Sequence, residues 1–347
     1  MIFSEQHERL KYRFFRQLKN VVWFADYGFW LFVSPYKWFP MPQKISSVLV
    51  VEDCGLGDLL VSTPVFRALK KRYGFVTVLV KGGMEDVLKG NPSVDRVITS
   101  FEGEYDLGVI LHARTHGNWK MSKILREHCR FRIGCTRVGF REGRGFFLHR
   151  KTFPTFAVKK KEQDNLDVIR AIGLDEDSFL EAYTDFMPTF KGYVVFHTHG
   201  AYETHNWYVE KWVALAQKIK KPIVFTGVNK DYVQKIISQL KGKKVVDATK
   251  TSIPEFFGWI KHADQIITVD TSAMHVASAF NRPVVSLFGN GDPRIWKPEP
   301  LSAKSEVVLK GDCHSCHLSA CALKDHRSMS LIEPEYVLKK MESVTFK

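Results

Sequence analysis

The sequence has few of the features that mark secreted or membrane-spanning proteins. Six cysteines among 347 residues are too few for a disulfide scaffold, and no basic start followed by an apolar segment marks a signal peptide. The longest apolar run, residues 21–33, contains Asp26 and is shorter than the ~20 residues that cross a bilayer. We therefore expect a reducing, cytoplasmic setting and no membrane-spanning helix.

Acidic residues are scarce in one part of the chain. The net charge is +14, and most of this excess lies between Arg114 and Lys161, where fourteen Lys or Arg are accompanied by two acids. Such a segment either concentrates an anionic partner (a phosphorylated glycolipid, an anionic membrane or nucleic acid) or forms a solvated face. No helix-turn-helix, zinc-finger or aromatic RNA-binding signature is present, so nucleic acid is not the expected partner.

Residues 1–45 combine Arg and Lys with many aromatic side chains before any strand pattern begins. This composition predicts one or two amphipathic helices. They could lie in a lipid headgroup region, with rings at the interface and cations on anionic lipids. They could equally pack their aromatic side chains on the domain that follows.

Beyond Ser47, apolar β-branched runs alternate with helical patterns, which predicts βαβ units and parallel sheets. The length of the chain exceeds what one core usually organises, and a second alternating series follows an acidic linker that contains proline. We predict an α/β protein with two Rossmann-like domains over residues 46–185 and 186–330, an N-terminal helical extension over 1–45 and a C-terminal helix within 331–347. In open parallel sheets, ligands bind beyond the carboxyl ends of the strands.

The alternation assigns each element to a range. Predicted strands are 47–53, 76–81, 95–100 and 105–113 in the first series, and 193–198, 222–227, 244–249, 265–270 and 283–289 in the second. Predicted helices are 59–73, 84–90, 118–128 and 162–173, then 209–219, 230–240, 253–263 and 272–280. Ser252 and Glu255 are spaced as a capping box at the start of one of these helices.

The first predicted strand ends in a turn with two glycines, Gly55 and Gly57, where the backbone can approach a ligand. A dinucleotide fingerprint would need a third glycine or alanine where Leu60 stands, so NAD is disfavoured. Asp58 lies at the following helix start. Its carboxylate could take a proton from an attacking hydroxyl, or it could be an ordinary N-cap.

In the second series, the strand over 265–270 delivers Asp270 to the start of another helix. The start of this helix would place free N–H groups and the positive end of the helix dipole where a diphosphate could bind. The residues concerned are Thr271, Ser272, Ala273 and, one turn further on, His275. A capped helix with a core-facing histidine would show the same pattern.

The wider sequence around this helix is more specific. Residues 270–279 (DTSAMHVASA), 283–289 (PVVSLFG) and 292–298 (DPRIWKP) resemble the donor-binding signature of bacterial ADP-heptose:lipopolysaccharide heptosyltransferases, glycosyltransferase family 9. Gly57-Asp58 with Thr63-Pro64 resembles the first-domain motif of that family, and residues 162–174 resemble the helix that closes its first domain. The resemblance covers roughly residues 46–345.

The resemblance implies a GT-B fold, with two sheets facing a central cleft, and an inverting transfer that needs neither metal ion nor cofactor. Asp58 would be the general base, Asp270 to His275 would hold the diphosphate and sugar, and Asp231 would bind the ribose. Gly200 and Ala201 would offer N–H groups to phosphate. The implied partners are ADP-heptose and the anionic lipopolysaccharide core, with peripheral contact at the cytoplasmic face of the inner membrane; another nucleotide sugar or a protein acceptor is the alternative. Candidate acceptor contacts are Arg114, Lys120, Lys123, Arg126, Arg137, Arg141 and Arg144.

The sequence departs from the family pattern in three places. His205 replaces a phosphate-binding lysine and would supply less charge to the leaving group when neutral. Ser272 replaces a common glycine, and Ser328 stands where the fourth cysteine of a tail motif is often found. The rest of that tail holds ligand types suited to zinc or iron but with irregular spacing, so either a metal site or a loop of reduced thiols fits Cys313, Cys316, Cys321 and His326.

Overall fold

The computed structural model describes residues 25, 27–32, 34–111, 118–135, 147–153, 157–310 and 327–344, with side chains throughout except at 118–122 and 327. The chain divides into two compact units, Met1–Ser178 and Phe179–Lys347. Each unit contains one six-stranded sheet in which all described pairings are parallel. No helix in these described ranges has the length and apolar character needed to cross a bilayer.

The sheet of the first unit is doubly wound, with strand order β3-β2-β1-β4-β5-β6. Its strands are β1 (Val48–Glu52), β2 (Val76–Val80), β3 (Arg96–Ile98), β4 (Tyr105–Ile110), β5 (Cys129–Gly134) and β6 (Arg150–Lys151). Every residue of β1 and β2 is buried, as expected of central strands covered on both faces. The winding direction reverses between β1 and β4, which is where ligands bind in such sheets.

In the described part of the first unit, residues 25 and 27–32 are helical, and four further helices follow: α1 (Leu56–Val61), α2 (Thr63–Tyr73), α3 (Asn118–His128) and α4 (Lys161–Arg170). The prediction of one helix over 59–73 is wrong, because the helix is interrupted at Ser62 and a new one begins with Pro64 in its first turn. The predicted helix over 84–90 is a single 3₁₀ turn, Glu85–Val87. A second 3₁₀ turn, Pro35–Trp38, precedes β1.

The sheet of the second unit has the equivalent order, β12-β11-β10-β7-β8-β9. Its strands are β7 (Val194–His197), β8 (Ile223–Gly227), β9 (Val245–Thr249), β10 (Gln265–Val269), β11 (Val284–Leu287) and β12 (Ser305–Val308). Here the winding direction reverses between β7 and β10, so the carboxyl ends of these two strands define the expected ligand position.

Seven described helices belong to the second unit: α5 (Val209–Lys218), α6 (Lys230–Ile237), α7 (Ile253–Lys261), α8 (Ser272–Ala279), α9 (Pro293–Trp296), α10 (Arg327–Ser330) and α11 (Pro334–Ser343). The predicted capping box of α7 is confirmed. The Ser252 hydroxyl accepts a hydrogen bond from the Glu255 N–H at 3.4 Å, and Glu255 Oε2 accepts one from the Ser252 N–H at 2.8 Å.

The core of the second unit is rich in large aromatic side chains. Trp207, Trp212 and Phe196 are fully buried, and the two indole rings meet edge to face with centroids 5.0 Å apart. Trp207 Nε1 donates to the Ile332 carbonyl at 3.0 Å, while Val337 of α11 lies in the same core. The C-terminal helix is therefore part of the second unit's core.

Candidate functional site

The carboxyl edge of the second sheet brings together residues from separate loops. A Cβ atom built on Gly200, after β7, would lie 3.0 Å from Thr271 Cγ2 and 3.1 Å from His205 Cβ. Three of the residues predicted to bind a donor therefore meet where the winding of the sheet reverses. Only a residue without a side chain fits at position 200 without displacing these neighbours.

In the turn after β7, one backbone N–H group already has a hydrogen-bond acceptor within the protein. The Gly200 N–H, predicted to face a phosphate, donates to Asn206 Oδ1 at 2.8 Å, so a phosphate would compete with this amide oxygen. Ala201 is exposed, and His205 is partly exposed with its ring 5.5 Å from that of Tyr202.

Helix α8 begins at this edge with Thr271 as its N-cap. The Thr271 hydroxyl accepts from the Ala273 N–H at 3.4 Å and lies 3.1 Å from the Thr268 hydroxyl. Ser272 is partly exposed in the first turn, and His275 is buried with its ring edge-on to Trp296. The helix is capped from within, and its dipole still favours an anion at this end.

Asp270 is the most perturbed carboxyl of the site. It is 8% exposed, and burial raises its pKa to about 7. The loop after β11 approaches it so closely that a Cβ on Gly291 would lie 1.9 Å from Asp270 Oδ2. Gly291 was missed from the sequence, although the two glycines before Asp292-Pro293 were the available signal.

Two buried histidines, His197 at the end of β7 and His199 two residues further on, were also missed. The His197 and His199 rings are nearly parallel with centroids 6.1 Å apart, and His197 Nδ1 lies 3.0 Å from the Thr226 hydroxyl. Burial lowers the pKa of His197 to about 3 and also lowers that of His199. Both rings are therefore neutral near pH 7.

Next to this pair, Gly227 ends β8 with φ +132°, and a Cβ there would lie 2.6 Å from His199 Cε1. His199 Nε2 accepts from the Asn229 N–H at 2.9 Å, which joins the turns after β7 and β8. Asn229 also caps α6 through the Tyr232 N–H. Asp231, the predicted ribose ligand, is exposed in the first turn of this helix.

In the first unit, Asp58 is partly exposed in the first turn of α1. The alternative that it is an N-cap is wrong, because Gly55 occupies that position in extended conformation and no side chain caps the helix. Gly55 is exposed, with open space around the position of a Cβ, and Gly57 is partly exposed. Asp58 therefore lies inside the first turn of α1, three residues after the N-cap.

A buried polar network lies under α1. Glu52, at the end of β1, is fully buried, and its carboxylate oxygens are 2.9 Å from Ser62 Oγ and 3.0 Å from Cys54 Sγ. Ser62 Oγ is also 3.0 Å from the Asp58 carbonyl and accepts a hydrogen bond from Asn165 Nδ2 at 3.0 Å. Burial and the neighbouring Glu52 raise the pKa of the Cys54 thiol well above its usual range.

The basic candidates for acceptor binding are described only in part. Lys123 and Arg126 are exposed on α3, with Lys123 Nζ 3.8 Å from Glu127 Oε1. For Lys120 the structure describes only a backbone position in α3. The others, Arg114, Arg137, Arg141 and Arg144, lie outside the described residues.

The candidate metal ligands Cys313, Cys316, Cys321 and His326 also lie outside the described residues. Ser328, at the place of a fourth cysteine, is buried in α10. Across the ranges that the structure does describe, no group of three His, Cys, Asp or Glu side chains is arranged to hold a metal ion.

Two doubly wound parallel sheets, each with candidate site residues at its carboxyl edge, define the α/β architecture of GT-B glycosyltransferases. Comparison with known proteins identifies the family. The sequence model of glycosyltransferase family 9 (heptosyltransferase) matches residues 152–326, half of the chain, and the chain belongs to this family.

Individual relatives agree with this assignment. A family 9 glycosyl transferase from Veillonella parvula superposes with a TM-score of 0.70 at 18% identity, covering 88% of this chain and 99% of that one. Escherichia coli heptosyltransferase WaaC, solved with ADP-2-deoxy-2-fluoro heptose, gives 0.64 at 17% identity over 86% and 99% of the two chains. Lipopolysaccharide heptosyltransferase 3 of Escherichia coli is 24% identical over 70% of this chain and 83% of its own length.

Proposed function

We propose that this heptosyltransferase is an inverting, metal-independent enzyme that moves a heptose from ADP-heptose to an anionic lipopolysaccharide core acceptor, working peripherally at the cytoplasmic face of the inner membrane. The observation that carries the proposal is the meeting of Gly200, His205 and Thr271 at the reversal point of the second sheet, beside the buried Asp270. The names of the relatives support ADP-heptose as donor and lipopolysaccharide as acceptor.

The donor half of the reaction needs stabilisation of a leaving diphosphate. Transfer develops positive charge on the sugar ring and negative charge on the departing ADP. The N-terminus of α8 is a fixed dipole that needs no reorganisation to receive this charge. His205 lies against Gly200 and can donate a hydrogen bond to the same phosphates.

The raised pKa of Asp270 is also compatible with an anionic ligand. With a pKa near 7, this carboxyl carries a proton in much of the population at neutral pH. A protonated carboxyl donates a hydrogen bond and does not repel phosphate. The exposed Asp231, at the start of α6, would accept from ribose hydroxyls.

The acceptor half needs a base, and Asp58 is the candidate. Its carboxylate is partly exposed in the first turn of α1 and would accept the proton of an attacking hydroxyl. Lys123 and Arg126, exposed on α3, would contact phosphates or carboxylates of the acceptor, together with the basic residues of the same segment.

The test is product analysis after incubation with ADP-heptose and a purified core acceptor, with and without EDTA. We expect a heptosylated product with inverted anomeric configuration at an unchanged rate in EDTA. A donor screen by thermal shift identifies the nucleotide sugar, because a ligand at 100 times its Kd stabilises by about 2.7 kcal/mol. Stabilisation by another nucleotide sugar alone, or transfer only to protein, would replace the proposal.

Variants assign the roles. Asp58→Asn should lower kcat about 10²- to 10⁴-fold and leave the donor Kd unchanged, whereas the exposed Asp86→Asn should behave as wild type. Equal loss of donor binding and folding in Asp58→Asn would show that the residue is structural.

Lys123→Glu with Arg126→Glu should raise the acceptor KM alone, and an unchanged KM would remove these residues from the acceptor site.

A further inference from the structure

A cavity of about 950 Å³ in the first unit lies between the segment that precedes β1 and the edge strand β6. Cations and aromatic side chains line much of it, among them Lys37, Arg150, Lys159, Trp30 and Trp38. We call the cavity and the exposed side chains of residues 27–32, 34–39 and 147–153 the aromatic-basic surface. None of its residues is used in the proposed transfer.

Specific contacts hold residues 27–32 and 34–39 on the sheet. Trp30 is buried, and its Nε1 donates to the Leu148 carbonyl at 3.2 Å. Arg150 Nη1 donates to the Lys37 carbonyl at 3.0 Å. The Arg132 guanidinium lies over the Tyr36 ring, 4.8 Å from its centroid. These contacts fix the position of the aromatic-basic surface on the first unit.

Other aromatic side chains of the same two segments point to solvent. Phe32 is 88% exposed, Trp38 is 81% exposed and Phe153 is 70% exposed. Of the twelve large hydrophobic side chains that are exposed in the described ranges, six lie in these segments: Phe29, Leu31, Phe32, Trp38, Phe39 and Phe153. Such clustering marks an interaction site, since single exposed apolar residues are normally scattered.

The charge of the cavity selects among partners. Among the residues that line it, the one carboxylate is Asp167, and it is already bonded to Lys159 at 2.6 Å and to Arg170 at 2.8 Å. Lys37 and Arg150 have no described carboxylate within ion-pair distance. An apolar protein interface would bury these cations at a cost, whereas a bilayer places phosphates at the level of the cations and acyl chains at the level of the rings.

We propose that the aromatic-basic surface docks on an anionic phospholipid bilayer, with a lipid phosphate in the cavity between Lys37 and Arg150 and with Phe32, Trp38 and Phe153 inserted at the interface. The inference deepens the proposed function, because it assigns the membrane contact suggested there to one surface. Within the described part of the N-terminal residues, Trp30 packs on the domain, and on this proposal Phe32 and Trp38 face the lipid; residues 1–24, 26 and 33 of the predicted helical extension lie outside the described residues.

The experiment is co-sedimentation of the full chain with vesicles of phosphatidylcholine alone and of phosphatidylcholine mixed with phosphatidylglycerol. We expect binding to the mixed vesicles that weakens as salt is raised. Phe32→Ala with Trp38→Ala should weaken it at least about tenfold, and Lys37→Gln about fivefold. Leu301→Ala and Lys241→Gln, exposed in the second unit, are the matched controls.

Three further measurements, of folding, of transfer and of oligomeric state, separate membrane docking from dimerisation and from loss of the proposed reaction. Far-UV circular dichroism and transfer to an acceptor without acyl chains should be unchanged in the surface variants, so a failure of vesicle binding is distinguishable from a failure of the proposed reaction. Equal binding to both vesicle types, or full binding by all surface variants, would overturn the proposal. So would a dimer that the Phe32→Ala, Trp38→Ala variant dissociates, since a second copy would then be the occupant.

Discussion

Replacing Asp270 by Asn should change how the stability of the second unit depends on pH. Burial raises the pKa of this carboxyl from its ordinary value of 3.8 to about 7. Between these values the folded chain holds a proton that the unfolded chain has released, so stability falls as pH rises through the window and is constant above it. At 1.36 kcal/mol per pH unit, the full window corresponds to roughly 4 kcal/mol.

The assay is urea unfolding of the wild-type chain and of Asp270→Asn at about pH 5 and about pH 7.5. The wild type should lose roughly 3 kcal/mol more than the variant between these two values. The buried, neutral His197 acts in the opposite direction, because its lowered pKa makes stability fall with acidification. It is present in both proteins, so its contribution cancels in the difference.

Asp106→Asn provides a control of opposite sign. Hydrogen bonds from Ser46 and Ser47 lower the pKa of Asp106, so its stabilisation is complete above the ordinary pKa and is lost only as pH falls below it. The difference between wild type and Asp106→Asn should therefore be constant between about pH 5 and about pH 7.5. A constant difference for Asp270→Asn as well, within about 0.5 kcal/mol, would refute the assignment of a neutral buried carboxyl.

The remaining predictions concern packing, capping and positioning. Gly291→Ala should weaken donor binding and cost about 1 to 3 kcal/mol, because its Cβ would overlap a carboxylate oxygen; Gly82→Ala, at an exposed position with open space around a Cβ, should do neither, and calorimetry with thermal melts compares them. Ser252→Ala should lower the stability of the second unit by about 1 kcal/mol in urea titrations through loss of the capping box. Asn165→Ala should lower kcat while the donor Kd stays constant, and a change confined to thermal stability would contradict a positioning role.

Much of the architecture was predictable because central parallel strands are buried on both faces. The runs that became β1, β2 and β10 are short and rich in β-branched apolar residues, and in a chain with this alternation such runs are typical of buried parallel strands. β5 was missed because its sequence, CRFRIG, alternates arginines with apolar residues. Arg132 is tolerated there because its guanidinium donates to the Phe147 and Cys129 carbonyls.

The site residues that belong to a sequence motif could be predicted, whereas contacts between residues far apart in the sequence could not. Asp270 and Thr271 follow a recognisable strand, and Gly200 precedes a recognisable turn. Glu52 ends a strand like any buried residue, and its contact with Ser62 depends on how α1 folds back. The approach of Gly291 to Asp270 joins two loops after different strands, which a single sequence does not display.

Through the polar network under α1, substitutions far along the chain should affect the candidate base Asp58. Asn165 follows Ser62 by more than a hundred residues, yet its amide fixes the hydroxyl that touches the Asp58 backbone. Lys161 in turn orients that amide from one helical turn earlier. Helix α4 therefore helps to hold α1 in position through Asn165 and Lys161. We expect substitutions on this face of α4 to change the rate of the proposed proton transfer, although these residues would contact neither substrate.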